Sequence, residues 1–361
     1  MKIVNRYVIM EFFKIFLLIL TGLTIVYMAV DIFENLDDFT KIHADLVTTA
    51  KYFLLRLPQA IYYIVPLSLL FASFLNLGLF TKYNEVTAMR SGGLSVLNIA
   101  SPMLIVTFLI SISIFFLNDS VVPAANKKAE NIKRRMENRQ EEMFFKADSL
   151  WLKSDSHTFY NISFIDPDKK ILWGINVYSL SPDSRIRESI SADKAISVNG
   201  QWFLQSGIRR VFDSDNQVMK VYTFDQFPIP FPFELKDIRH AVVQASETRF
   251  SVLRDYIKRI RREGYEVKRL AVDLYAKTSF PLAGFIMTII GVSLALHIKR
   301  FGGIASGMGL CILVSLLYWV SFSLSLHMGY SGYIPALLSA WLANIIFMGV
   351  GGYIFYRAAK L

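Results

Sequence analysis

The sequence has a single cysteine, Cys311, and only 19% of its 361 residues are charged. One cysteine excludes an intramolecular disulfide framework and the cysteine-rich kind of structural zinc site. With so few charges and 53% hydrophobic residues, the chain has the composition of a membrane protein rather than a soluble one. A purely cytosolic enzyme is therefore excluded.

The sequence also lacks recognisable catalytic motifs. It contains no G-x-x-x-x-G-K-[ST] phosphate loop, no HExxH, no CxxC and no plausible G-x-S-x-G. The five histidines are scattered without metal-ligand spacing, and we interpret them as surface or interfacial residues. We therefore expect no catalytic residue, metal site or cofactor in this chain, so any nucleotide energy must come from a partner.

Six apolar stretches are each long enough to cross a hydrocarbon core of about 30 Å as a helix. They run roughly over Val8–Val30, Tyr52–Phe80, Ile99–Leu117, Tyr275–Ile298, Ile304–Met328 and Ile334–Tyr356. A polar insert, about Asp119 to Asp273, separates the third from the fourth and holds 26 of the 39 basic residues. The predicted fold is an α-helical membrane protein with three spanning helices on each side of a solvated domain, divided at 1–118, 119–273 and 274–361.

The residue composition of the insert, and with it the predicted secondary structure, changes along its length. Residues 149–233 are rich in aromatic and β-branched residues with turn signals between the runs, which predicts an all-β sandwich. Before it, Val121–Phe145 is predicted to be helical. After it, a basic amphipathic helix is predicted over Val252–Glu263, capped by Ser251 and ended by Gly264.

Lys and Arg are distributed unevenly among the short polar segments. They occur at both termini and in the loops after the second and fourth stretches: Lys2, Arg6, Lys82, Arg90, Lys299, Arg300, Arg357 and Lys360. The positive-inside rule assigns these segments to the cytoplasm and residues 119–273 to the outside. Because membrane topology accounts for many of these basic residues, the net charge of +10 does not by itself indicate nucleic acid, and no such partner is predicted.

The loop at about 82–93 is the most informative of the cytoplasmic segments. Val86 and Met89 fall on one face of a short helix, Glu85 lies near its positive end, and Gly92-Gly93 ends it. The same composition also fits a capped interfacial turn in which Glu85 only favours the helix dipole.

Several short matches, taken in order, give the chain a resemblance to a known family. They are Arg6-Tyr7, Leu57-Pro58, Pro66-Leu67, Leu77-Gly78, Glu85, Met89 and Ser91-Gly92. Together with the layout of three helices, one domain and three more helices, these matches resemble the permease subunits of the bacterial lipopolysaccharide exporter. Later matches are closer to the LptG-type than to the LptF-type subunit: Tyr256-Ile257-Lys258, Lys277, Phe280, Pro281, Tyr330 and Ile334-Pro335.

The resemblance implies a subunit of an ATP-driven exporter in the bacterial inner membrane. Two such permeases would pair, a dimer of cytosolic ATPases that binds ATP and Mg would dock below them, and a periplasmic β-jellyroll would pass lipopolysaccharide to bridge proteins. Coupling to the ATPase would then fall to the 82–93 loop, through Glu85, Tyr83, Val86, Met89 and Arg90.

The sequence departs from this family at the outer end of the first helix, where relatives carry lysines thought to meet the lipid phosphates. The equivalent stretch, Asp31–Asp38, is acidic here. Substitute lipid-binding residues would be Arg56, Lys41, Lys51, Lys133 and Arg134, each of which is equally consistent with interfacial anchoring. Alternatively, the acidic stretch holds divalent cations that bridge to lipid phosphates.

A small-residue pattern formed by Gly303, Ser306 and Gly307 predicts close approach of a second permease, although packing within one subunit explains it equally well.

Two rival functions remain open from the sequence. One is a membrane-anchored periplasmic sensor or scaffold that signals through the 82–93 loop. The other is a membrane enzyme acting on lipid, for which the sequence nominates no catalytic pair.

Overall fold

The computed structural model describes residues 2–41, 45–136, 143–146, 149–153, 157–166, 171–181, 183, 185–198, 201–213, 217–229, 231, 249–262, 267–297 and 303–360. The chain divides into two compact units. The membrane unit consists of Met1–Glu137 and Lys268–Leu361, and the β unit consists of Asn138–Val267.

All regular secondary structure in the described part of the membrane unit is helical. Its elements are α1 Lys2–Lys41, α2 Leu46–Lys82, α3 Glu85–Ser91, α4 Val96–Phe116, a π-helical turn Leu117–Val121, α5 Val122–Met136, α7 Lys268–Leu296, α8 Ile304–Tyr330 and α9 Ala336–Lys360. Six helical runs in this part of the chain are long and apolar enough to cross a membrane, which confirms the predicted spans. The helices extend beyond the apolar stretches, because a helix keeps its backbone hydrogen bonds where the side chains turn polar.

The core of the membrane unit lies around α2 and α7. In their apolar segments 72% and 78% of the residues are buried, against 17% in α1 and 28% in each of α8 and α9. A Cβ at Gly291 of α7 would lie only 2.2 Å from the Ser73 hydroxyl of α2, so glycine allows these two helices to approach closely. The outer helices expose apolar side chains that suit contact with lipid or with another membrane helix.

The described part of the β unit contains seven strands: β1 Met143–Lys146, β2 Ser149–Lys153, β3 Thr158–Asp166, β4 Ile171–Leu180, β5 Ile186–Val198, β6 Gln201–Phe212 and β7 Val218–Ile229. They form one antiparallel sheet in chain order. Helix α6, Phe250–Arg262, follows the sheet, and Tyr256 donates a hydrogen bond to the Ser163 carbonyl of β3 at 3.0 Å.

The inserted β domain is thereby confirmed, whereas the predicted sandwich of two sheets is not what the described strands form. Each strand pairs with its neighbours in sequence, as strands joined by short turns commonly do. A sandwich needs strands that leave the first sheet for a second one. The alternation of side chains along single strands is the same in both arrangements, so the sequence pattern did not separate them.

The helical prediction for Val121–Phe145 is wrong at its far end. Helix α5 ends at Met136, and Met143–Lys146 is strand β1, in which Phe144 pairs with Trp151 of β2. Helix α6 begins at Phe250 instead of following a Ser251 cap, and it ends at Arg262. The predicted stop at Gly264 lies outside the described residues.

A π-helical turn joins α4 to α5 within one continuous helical run. The Val122 N–H bonds to the Leu117 carbonyl, five residues back. Pro123 follows directly and has no N–H to donate. The regular pattern of hydrogen bonds to the carbonyl four residues back is therefore interrupted here.

Candidate functional site

Helix α3 is held between α2 and α4 by two residues in left-handed backbone conformations. Asn84, which precedes it, has φ 60°, and Gly93, which follows its end, has φ +87°. Asparagine tolerates this region and glycine occupies it without steric cost, so both ends of α3 turn sharply. The short helix predicted at 82–93 and its stop at the glycine pair are confirmed.

One face of α3 is anchored in the membrane unit. Val86 is buried within the main apolar core, and Met89 packs against that core. Tyr83 and Arg90 are exposed, and Glu85 is partly buried. The face of α3 that carries Val86 and Met89 therefore packs against the core, and Tyr83 and Arg90 are exposed on the outside.

Tyr7 of α1 links the start of that helix to α3. Its hydroxyl donates a hydrogen bond to a carboxylate oxygen of Glu85 at 3.2 Å, and its ring stacks on Phe80 of α2 at 5.3 Å between centroids. Sequence reasoning did not identify this contact. The two residues lie 78 positions apart, and neither helical periodicity nor loop length connects them.

A second constellation lies toward the start of α2, away from α3. Arg56 donates from Nη2 to Oδ1 of Asp31 on α1 at 3.2 Å. Asp31 is 7% exposed, and Asn35 donates to its backbone carbonyl at 2.8 Å. The other carboxylate oxygen of Asp31, Oδ2, has no hydrogen-bond partner in the described part of the chain. The sequence placed Arg56 and Asp31 in two separate hypotheses, whereas the structure makes them an ion pair.

The structure also brings two of the predicted cationic residues into one neighbourhood. Tyr52 of α2 packs in a small apolar cluster with Phe53 and with Ala129 of α5. Arg56 and Lys133 lie within electrostatic range of the Tyr52 hydroxyl, and so do the carboxylates of Asp31 and Glu130. Two cations and two carboxylates, carried by α1, α2 and α5, therefore lie near the same end of the membrane unit.

The structure says less about the other cationic residues predicted to bind lipid. Lys51 is exposed near the start of α2. The side chains of Lys41 and Arg134 lie outside the described residues, as do those of Asp37 and Asp38 in the acidic stretch. Within the described residues, no group of three or more His, Cys, Asp or Glu side chains is arranged to hold a metal ion. The cation-bridge hypothesis for 31–38 stays a prediction.

The three small residues predicted to support subunit pairing differ in their surroundings. A Cβ at Gly307 would lie 2.2 Å from the Phe74 ring of α2, so the close approach at this position occurs within the chain. Gly303 precedes α8 with φ +116°, and a Cβ added there would meet no described atom within 4 Å. Ser306 is exposed and donates to the Gly303 carbonyl at 3.1 Å. The role of these residues between subunits stays a prediction.

Six apolar helices long enough to span a membrane, an inserted β unit and a short helix between the second and third spans define a multi-pass membrane protein. Residues 6–357 match the family described as "Lipopolysaccharide export system permease LptF/LptG", and the chain belongs to that family. It is therefore a transport subunit rather than an enzyme.

Two curated relatives agree with this assignment. The chain is 21% identical over 272 residues to the lipopolysaccharide export system permease protein LptG of Escherichia coli strain K12, with 69% of each chain covered. The protein of the same name from Escherichia coli O6:H1 matches with the same identity and coverage. The predicted resemblance to the exporter permeases, and to their LptG type in particular, is confirmed.

Proposed function

We propose that this chain is a permease subunit of an ATP-driven exporter that extracts lipopolysaccharide from the bacterial inner membrane and passes it to a periplasmic protein bridge. The observation that carries the proposal is the family match over residues 6–357, because it includes both halves of the membrane unit and the β unit. The partners are a second permease of the same family and a pair of cytosolic ATPases, which bind ATP and Mg.

Helix α3 is the proposed docking element for the ATPase. Its buried residue Val86 ties it to the core around α2, and its exposed residues Tyr83 and Arg90 offer a polar contact surface. A force applied to α3 would reach α2 and α4 through the chain and α1 through the Tyr7–Glu85 hydrogen bond. Nucleotide-driven movement of the ATPases is thereby converted into movement of three membrane helices.

The lipid phosphates are proposed to bind at the end of the membrane unit where Arg56 and Lys133 converge. Arginine holds phosphate through two parallel hydrogen bonds, and lysine contributes a point charge. Lys41, Lys51 and Arg134 would extend this cationic surface. The acyl chains would lie against apolar faces of α1, α2 and α8, since they require contact area rather than directional bonds.

The β unit is proposed to lie in the periplasm and to hand the lipid onward, with both termini and α3 in the cytoplasm. Among the described strands, β1 and β7 are the two edges of the sheet, and each pairs with one neighbour. Edge strands carry backbone groups that accept a strand from another protein. Strand addition at an edge would extend the sheet into a bridge protein.

Reconstitution tests the proposal directly. The chain, its partner permease and the ATPase are placed in proteoliposomes with lipopolysaccharide, and a soluble bridge protein carrying a photocrosslinker is added outside. Lipopolysaccharide should reach the bridge protein only with ATP and only when all subunits are present. A complex that binds and hydrolyses ATP but never transfers lipid would contradict the proposal, and co-purification with a kinase instead of an ATPase would favour the sensor hypothesis.

A further inference from the structure

We propose that Asp31 is an internal substitute for the lipid phosphate at Arg56. Arg56 leaves Asp31 for the phosphate when lipid enters and returns to Asp31 when lipid departs. This inference rests on the proposed function, because it concerns how the anion bound there by Arg56 is released.

The geometry of the pair favours exchange. Only one guanidinium nitrogen, Nη2, bonds to Asp31, at 3.2 Å, so the two-bond fork that arginine forms with ideal partners is not made. The Arg56 side chain is 31% exposed and that of Asp31 is 9% exposed. Arg56 is therefore the partner that can turn toward an incoming anion, while Asp31 stays in place on α1.

The cost of leaving Asp31 unpaired provides the return step. Its Oδ2 has no hydrogen-bond partner among the described residues, and Asn35 reaches Oδ1 only at 3.4 Å. A buried carboxylate without its cation is unfavourable. Binding of phosphate to Arg56 is thus opposed by the cost of leaving the buried Asp31 carboxylate without its cation, and departure of the lipid removes that cost.

This opposition suits a transport site. A site that binds its cargo too tightly does not release it, so conduction requires binding strong enough for entry and weak enough for exit. Asp31 supplies a competing anion at a fixed position without a second ligand.

Neutral variants of Asp31 test the exchange. The full chain, in complex with its partner permease and ATPase, is placed in nanodiscs, and binding of lipid A carrying two phosphates is compared with that of the same lipid after dephosphorylation. Asp31→Asn and Asp31→Leu should each bind the phosphorylated lipid about five- to tenfold more tightly, since a competing hydrogen-bonded ion pair is removed. Binding of the dephosphorylated lipid should not change, and ATP-driven release should become slower.

Matched controls come from the same part of the chain. Asp45→Asn removes one negative charge at an exposed position just before α2, where the aspartate side chain makes no capping hydrogen bond. It should leave both affinities within about twofold of the unmodified protein, because exposed charges are well screened. Arg56→Gln should weaken binding of the phosphorylated lipid about tenfold or more, as expected for loss of a charge-assisted contact.

The outcomes separate the two levels of the hypothesis. If both neutral Asp31 variants bind the phosphorylated lipid equally or less tightly while Arg56→Gln is defective, Asp31 only positions Arg56 and the exchange is rejected. Equal tightening of phosphorylated and dephosphorylated lipid also rejects it. If Arg56→Gln binds and transports normally, the lipid site itself is misplaced, and the proposed function loses its phosphate contact.

Discussion

The hydroxyl of Tyr7 and the carboxylate of Glu85 are hydrogen-bonded at 3.2 Å across 78 positions of the chain. The first residue of α3 is therefore attached to the start of α1 as well as to α2. Because Tyr7 also stacks on Phe80, three helices meet at this point. Any partner that engages Glu85 will compete with or reinforce this contact.

Reversing the charge at Glu85 should separate docking from folding. Glu85→Lys is expected to abolish co-purification of the ATPase and ATP-driven lipid transfer. A carboxylate at a helix start contributes about 0.3–1 kcal/mol to folding, whereas truncating a buried interfacial charge pair costs about 2–5 kcal/mol. Thermal unfolding in detergent should therefore be nearly unchanged. Normal ATPase recovery with normal transfer would leave Glu85 with its dipole role alone.

Removing only the Tyr7 hydroxyl tests transmission to α1. Tyr7→Phe keeps the stacking on Phe80 and should retain the ATPase, but transfer should fall about two- to twelvefold, because one hydrogen bond contributes about 0.5–1.5 kcal/mol. Tyr333→Phe, at a position 82% exposed, is the matched control. A Tyr7→Phe complex that transfers lipid as fast as this control would show that α1 moves without the link.

Cysteine labelling tests the orientation. In a Cys311→Ala background, Met219→Cys in β7, where the methionine is 66% exposed, should react with an impermeant maleimide from the periplasmic side. Thr87→Cys in α3, also exposed, should react only after the inner membrane is opened. This result follows from the basic residues in the short segments. The opposite labelling pattern would mean that the chain has the reverse orientation in the membrane.

Gly307 and Gly309 of α8 form a matched pair for close packing. Gly307→Ala drives a methyl group into the fully buried Phe74 ring and should destabilise the chain by about 1–3 kcal/mol. At Gly309, no atom of the described residues lies within 4 Å of an added Cβ, so alanine should be tolerated. Thermal unfolding in detergent compares the two. Loss of permease pairing in Gly309→Ala, without loss of stability, would locate a subunit contact on that face.

A polar chain of hydrogen bonds joins α7, α8 and α9 inside the membrane unit. Tyr318 donates to Asn344 at 2.8 Å, and Asn344 donates to the Ser279 carbonyl at 2.6 Å. Tyr318→Phe should destabilise the unit by about 0.6–1.7 kcal/mol, the range for such bonds in membranes. Unfolding of this variant is compared with that of Tyr353→Phe, at an exposed position. Equal stabilities would mean that ring packing alone holds Tyr318.

The elements that depend on nearby residues in the sequence could be predicted from the sequence. The glycine pair and the apolar residues Val86 and Met89 were sufficient for α3, and hydropathy was sufficient for six spans. The strand at 143–146 was mistaken for helix, since its pairing with β2 decides its conformation. The Asp31–Arg56 pair was out of reach because the two residues lie on different helices, 25 positions apart. Convergence of Lys133 on the same region likewise depends on packing of α5.

The π-helical turn at Leu117–Val121 affects how this chain is aligned with its relatives. A π turn holds one residue more than the α turn it replaces, and a relative with a regular helix at this point would lack that residue. Every position beyond it would then be displaced by one, which rotates side chains by about 100° around the helix. At 21% identity such a shift leaves little trace in a pairwise match. Equivalences assigned to Lys133 or Arg134 should therefore be drawn from superimposed helices, counted from α5, and not from numbering carried across the turn.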